Sequence, residues 1–128
     1  MKAADRERIR RAIVGAESRT SGRIAVKVVN DARVDDALAS AEKHFGKHTM
    51  HQTPDRNGIL ILIAPRARRF AVYGDRNVHE RLGDGFWNHV VEEMQQQFAA
   101  GDVVGAALHG VERLGTALHE HFPRRDNA

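Results

Sequence analysis

Ile59-Leu60-Ile61-Leu62-Ile63-Ala64 is the stretch on which the fold turns. It is apolar at every position, with Asn57-Gly58 before it and Pro65 after it. A strand with one wet face alternates apolar and polar residues, whereas a strand covered on both faces does not. The run is far shorter than the roughly 20 apolar residues of a membrane span. It therefore predicts a central β-strand that needs a layer of structure on each side.

The flanks supply those layers. Behind the run, Thr53-Pro54-Asp55-Arg56-Asn57-Gly58 reads as a loop. Ahead of it, Pro65-Arg66-Ala67-Arg68 can turn the chain, and Arg69 to Tyr73 alternates as an antiparallel partner. Arg66, Arg68 and Arg69 read as a solvated hairpin tip, with a phosphate or anionic-lipid contact as the alternative. Further back, Arg23 to Val29 is a short β-branched strand with Ile24, Val26 and Val28 on one face. Between these strands, Val34, Leu38, Ala41, Phe45 and His48 mark a helix with Asp35 and Asp36 in its first turn. Ile9, Ala12, Ile13 and Ala16 place another helix over residues 3–18, which Thr20-Ser21-Gly22 stops.

Toward the far end, residues 83–100 form a third helix, with Trp87, Val91, Met94 and Phe98 on one stripe and Phe86 and Val90 beside it. Gly101 suits the position just past its end, and Asp102 the cap of the next helix. That fourth helix runs from Val104 through Phe122, and Pro123 stops it. Trp87 reads as core or partner packing. The order helix, strand, helix, strand, strand, helix, helix makes the first two strands parallel and the third antiparallel. The predicted fold class is α/β: a three-layer α/β/α sandwich around a small mixed sheet, one domain over residues 1–123 with a short polar tail at 124–128.

Composition narrows the chemistry. The chain has 128 residues, 41% hydrophobic and 29% charged, and no cysteine. Disulfides, thiolate zinc sites, iron–sulfur ligation and cysteine nucleophiles are thereby excluded. The net charge is +3, with basic residues in excess over residues 1–33 and acids in excess over residues 77–123. A nucleic-acid binder wants one concentrated basic face with stacking aromatics, so no nucleic-acid partner is expected. Residues 1–12 are Arg-rich without an apolar segment, so neither a signal peptide nor direct membrane insertion is expected, and the predicted location is cytoplasmic.

The strand order also brings distant residues together. Parallel strands start at one end of the sheet, and the antiparallel third strand finishes there. Thr20-Ser21-Gly22, Arg56-Asn57 and Gly74-Asp75-Arg76 should converge at that end, with Glu17 and Asp84 beside them. Carboxylates with hydroxyls can hold a cation through oxygen, and an arginine can hold an oxyanion. The alternative is structural: Arg56 pairs with Glu17 or Asp75 and pins the loop. Asp31, Asp35 and Asp36 lie at the other end without the spacing of a calcium loop. His44, His48 and His51 could share a helix face, but no HExxH pattern accompanies them, so solvated histidines are expected. His79 or His89 could serve as a proton donor near the acidic edge.

Taken in order, the residues resemble a known family. The stretches are Glu17-x-x-Thr20-x-Gly22-x-Ile24-x-Val26, Met50-His51-x-Thr53-x-x-Arg56-Asn57-Gly58-Ile59-Leu60-Ile61-x-Ile63-Ala64, Arg69-Phe70-Ala71-Val72-x-Gly74-Asp75, Asp84-x-Phe86-Trp87, Phe98-x-x-Gly101-Asp102 and His121-Phe122-Pro123. This set resembles the TPM domain, named for thylakoid-lumen, photosystem-repair and receptor-modulating members. The resemblance implies the same α/β/α sandwich in a stand-alone, bacterial-type form. It also implies weak, divalent-cation-dependent phosphatase activity on phosphomonoesters. The matching positions are Glu17, Thr20, Arg56, Asp75 and Asp84. Asp75 and Asp84 would hold Ca2+ or Mg2+, and Arg56 would orient the phosphoryl group. Some members act instead as non-enzymatic modules that support membrane-protein complexes, which implies a protein partner, itself membrane-associated. Many relatives carry an export signal, a membrane helix or a glycine-rich tail; none is read in this chain, so a membrane link is expected through a partner.

Overall fold

The structure is a computed structural model and describes residues 1–124. Its elements are α1 (Ala3–Glu17), β1 (Arg23–Val28), α2 (Ala37–Lys47), β2 (Gly58–Ala64), β3 (Arg69–Gly74), α3 (Arg76–Leu82), α4 (Asp84–Ala99) and α5 (Val103–His121). The sheet order is β1-β2-β3, with β1 parallel and β3 antiparallel to β2. Every residue of β2 is buried, as its unbroken apolar run requires.

Alternate side chains of β2 feed two separate cores. Ile59, Ile61 and Ile63 pack with Ile9 and Ala16 of α1, Trp87, Val90, Met94 and Phe98 of α4, and the apolar stripe of α5. Leu60 and Leu62 face the other way, against Ala41 and Phe45 of α2 and Met50. One layer thus holds α1, α4 and α5, and the opposite layer holds α2. Burying each large aliphatic side chain contributes about 1.5–3 kcal/mol relative to leaving it in water. The polar tail expected at 124–128 lies, beyond Arg124, outside the described residues.

Three details differ from the sequence reading. The segment after β3 contains a further short helix, α3, capped by Asp75, whose side chain accepts from the Arg76 N–H. On α4 the fully buried stripe is Trp87, Val90, Met94 and Phe98, and Val91 is only half-buried. α2 begins after the aspartates: Asp36 is extended and accepts from the Ala39 N–H at 3.0 Å. An aspartate makes that bond from the cap position, so the helix starts one residue after it.

Other turns follow their residues. Gly101 has φ +88°, a left-handed turn that suits glycine and ends α4. Asp102 then caps α5 by accepting from the Gly105 N–H at 2.9 Å. At the hairpin tip, Arg66 Nη1 donates to the Asn30 carbonyl at 3.0 Å, tying the turn to the end of β1. Among the described residues no helix is long and apolar enough to cross a membrane.

Candidate functional site

Arg23 of β1 pairs with Gly58 of β2, and Ile59 of β2 pairs with Gly74 of β3. This register puts the start of β1, the start of β2 and the end of β3 at one edge. The turns there meet as the topology predicts. Gly22 lies so close that a Cβ would sit 3.0 Å from the Asn57 carbonyl and 3.1 Å from a Leu118 methyl. A side chain there would require the Asn57 carbonyl and the Leu118 methyl to give way by a few tenths of an ångström.

Arg56 is the centre of the edge. Its Nε and Nη2 donate to the two Asp75 carboxylate oxygens at 2.7 and 2.8 Å. The Asp75 side chain is 6% exposed, and that of Arg56 34%. Asp75 also caps α3 through Arg76 N–H at 2.8 Å, and its own N–H donates to the Gly58 carbonyl at 2.9 Å. Burial alone would raise the Asp75 carboxyl; the Arg56 and Arg76 hydrogen bonds outweigh it and hold the group below its ordinary value. Arg56 has φ 49°, a left-handed conformation uncommon outside glycine. Its ion pair and the Arg56 N–H bond to the Thr53 carbonyl at 3.1 Å hold it there.

A polar cleft of about 260 Å³ lies at the same edge, lined by Ser21, Asp55, Asn77, Arg81, His121, Phe122 and Pro123 and not by Arg56 or Asp75 themselves. Ser21 Oγ donates to Asp55 Oδ2 at 2.9 Å and accepts from Asn57 Nδ2 at 3.1 Å. Asn77 Nδ2 donates to the Asp55 carbonyl at 2.8 Å. The Arg81 guanidinium lies over the Phe122 ring, 5.3 Å from its centre. Asn57 is wholly buried, and its Oδ1 has no hydrogen-bond partner among the described residues.

The remaining expected site residues serve the frame. Glu17 Oε2 accepts from the Ile24 N–H at 2.9 Å, so this carboxylate tethers α1 to the first residues of β1. Thr20 is buried; its Oγ1 donates to the Phe122 or Leu118 carbonyl and accepts from the Gly22 N–H. It thereby closes the open carbonyl end of α5. Asp84 stands exposed in the first turn of α4. Arg56 and Asp75 are brought into direct contact; Glu17 and Thr20 line the adjoining α1–β1 turn; Asp84 has a place of its own on α4. Among the described residues no three His, Asp or Glu side chains gather as a metal site.

The histidines are dispersed. His44 and His48 stack on α2 with centres 5.9 Å apart, and His79 lies on Trp87. His89 faces Glu93 at 3.5 Å, and His119 Nδ1 meets the Arg19 carbonyl at 2.8 Å. Asp55, Asn77, Arg81 and His121 were not singled out by the sequence for this cleft. Asn77 and Arg81 sit on α3, which the reading lacked. The signal was present: Asp75 as cap, Val78 and Leu82 four apart, and Gly83 as stop.

Three solved structures share this architecture. The BA42 protein of the psychrophilic bacterium Bizionia argentinensis is 31% identical, with a TM-score of 0.88 over 99% of this chain and 87% of that one. The N-terminal domain of cg2496 from Corynebacterium glutamicum is 17% identical, with a TM-score of 0.72 over 92% and 74%. The N-terminal domain of a protein from P. gingivalis is 16% identical, with a TM-score of 0.76 over 98% and 83%. No curated protein matches the chain. The sequence model of the TPM domain matches residues 1–117, and with the ordered motifs and the sandwich in place, this chain belongs to the TPM domain family.

Proposed function

We propose that the polar edge receives a phosphomonoester and that the chain acts as a weak phosphatase in the bacterial cytoplasm. The observation that carries this reading is Arg56, a guanidinium held two-pronged by a buried carboxylate in a left-handed backbone conformation, whose chain neighbour Asp55 lines a polar cleft at the same edge. Guanidinium groups match phosphoryl oxygens with paired N–H bonds. Asp75 uses two of the five Arg56 N–H groups, leaving donors for an anion. Arg81, Asn77 and His121 add further donors, and Asp55 is the carboxylate beside the cleft that would orient an attacking water. Thr20 and Glu17 act here as positioning residues, since both fix the turn that carries Ser21.

Calcium or magnesium would supply polarisation of the phosphoryl oxygen, and oxygen donors are the correct type for either ion. A cation shared by Asp75 and Asp84 does not fit this arrangement, however. Both Asp75 oxygens already accept strong hydrogen bonds, and Asp84 is exposed on another helix. Hydrolysis of an aryl phosphate by wild type, Arg56→Lys and Asp75→Asn, in Ca2+, Mg2+ or chelator, tests the reading. Arg56→Lys keeps the charge but loses the fork, and kcat/KM should fall at least about tenfold. Equal rates in folded wild type and variant would overturn it.

One observation favours a second reading, a non-enzymatic assembly module for a membrane-associated protein partner. Glu17, Thr20 and Asp75 are each engaged in contacts that hold the fold. No turnover by the purified wild type, together with partner capture that Arg56→Ala abolishes, would decide for it.

A further inference from the structure

We propose that the free edge of β1 accepts an added strand: an extended segment of another protein that alternates apolar and acidic residues. The sheet order leaves β1 at an edge. Val29 N–H donates inward to the Ile63 carbonyl, whereas Ile24 N–H points outward to Glu17. Backbone groups alternate along a strand, so Val26 and Val28 also present their N–H groups outward. Among the described residues the edge is thus closed at Ile24 by a carboxylate and open over the next two outward-facing residues.

Two grooves flank that open stretch, one on each face of the sheet. On the α1 side a groove of about 200 Å³ is floored by Ile9, Ile13, Val26 and Val28, with Met1, Arg6 and Arg10 also lining it. On the α2 side a groove of about 230 Å³ is lined by Arg23, Ala25, Lys27, His48 and Met50. Successive side chains of an added strand would enter these grooves in turn. One set meets the aliphatic floor of Ile9, Ile13, Val26 and Val28, with Arg6 and Arg10 also lining that groove, and the other meets Arg23 and Lys27 directly. Lys43 and Lys47 of α2, with Lys27, also raise the positive potential around His44, whose pKa is lowered first by burial and then by these neighbours. Carboxylates at alternate positions satisfy the second groove.

Charge also argues against a second copy of this chain as the occupant. Any antiparallel register that pairs the outward groups of two β1 strands sets Lys27 opposite or diagonal to Arg23 or Lys27 of the other copy. Like charges so placed are destabilising. Lysine on an edge strand ordinarily guards against indiscriminate pairing. Here the same charge would select an acidic strand.

The test uses a short blocked peptide that alternates valine and glutamate, titrated into the full chain while amide chemical shifts are followed. Expected are saturable shifts confined to β1, the first half of α1 and the second half of α2. Val26→Pro removes an outward donor without touching the β1–β2 ladder and should abolish binding. Should that variant fail to fold, Lys27→Glu serves: it should weaken the glutamate peptide by at least about tenfold and admit a valine–lysine peptide instead. Absence of saturable shifts, shifts centred on α3, or unchanged affinity in folded Lys27→Glu would overturn the proposal. Self-association through β1 without peptide would overturn it too.

Discussion

Glu7 and Asp75 each accept a two-pronged hydrogen bond from an arginine, Glu7 from Arg10 at 2.7 and 2.8 Å and Asp75 from Arg56 at 2.7 and 2.8 Å. Their surroundings differ. Glu7 is three residues from Arg10 on α1, and Arg11 also donates to it at 3.2 Å. Its side chain is 41% exposed, and hydrogen bonds from Arg10 foremost bring its pKa down to about 2. Asp75 is 6% exposed and 19 residues from Arg56, across the whole β2–β3 hairpin. The first pair is made within one helix, in water, where side-chain entropy and salt cancel most of its attraction. The second joins two loops and caps a helix, so losing it leaves a buried charge. A low pKa thus measures local pairing, whereas consequence for the fold follows from burial and sequence separation.

The largest expected effect comes from cutting the buried partner. Asp75→Ala removes the α3 cap and the acceptor for Arg56, and should destabilise the chain by about 2–3 kcal/mol in urea unfolding. Amide protection should fall first over α3. If Asp75→Ala costs no more than Glu7→Ala, the contrast between the two pairs is wrong. Next is Thr20→Val, which keeps the shape but leaves the α5 carbonyls and the Gly22 N–H without the hydroxyl. A loss of about 1–2 kcal/mol is expected, with early fraying of the last turn of α5.

Acid should sharpen the comparison further. The folded Asp75 carboxyl lies below its unfolded value, so its contribution is complete above the unfolded pKa near 4 and is lost as pH falls through the lower folded value. Stability should therefore drop below about pH 4, and Asp75→Asn should flatten that limb. Smallest is Glu7→Gln. It should alter melting only at low ionic strength and have no measurable effect in about 0.5 M salt. A persistent effect at high salt would show that the α1 network does more than decorate a surface.

Much of this arrangement could be read from particular residues. The unbroken run from Ile59 to Ala64 called for two covered faces, and Ile59, Ile61 and Ile63 indeed face one core and Leu60 and Leu62 the other. Asp102 and Gly101 announced their cap and turn. The parallel-then-antiparallel order implied that the turns at Ser21, Arg56 and Asp75 would converge, and they do. What was illegible is which partner each polar group takes. Glu17 and Asp75 were both acceptable acceptors for Arg56, and only the left-handed turn at Arg56 and the start of α3 select Asp75. The helix α3 escaped because, although Asp75 and Gly83 mark its ends, its seven residues offer only Val78 and Leu82 as a periodic pair, too short a pattern to stand out from a loop.

Sequence alone determined the layer architecture, because hydrophobic periodicity is a property of consecutive residues and burial follows it. It also determined which segments would share an edge, because strand direction is set by the lengths and types of the connections. Tertiary structure decided the rest: that Thr20 closes α5, that Glu17 seals the first outward donor of β1, and that Asp75 belongs to Arg56. These are hydrogen bonds between residues 7 to 102 positions apart. Such bonds need ångström-scale placement of two elements, which local pattern does not carry.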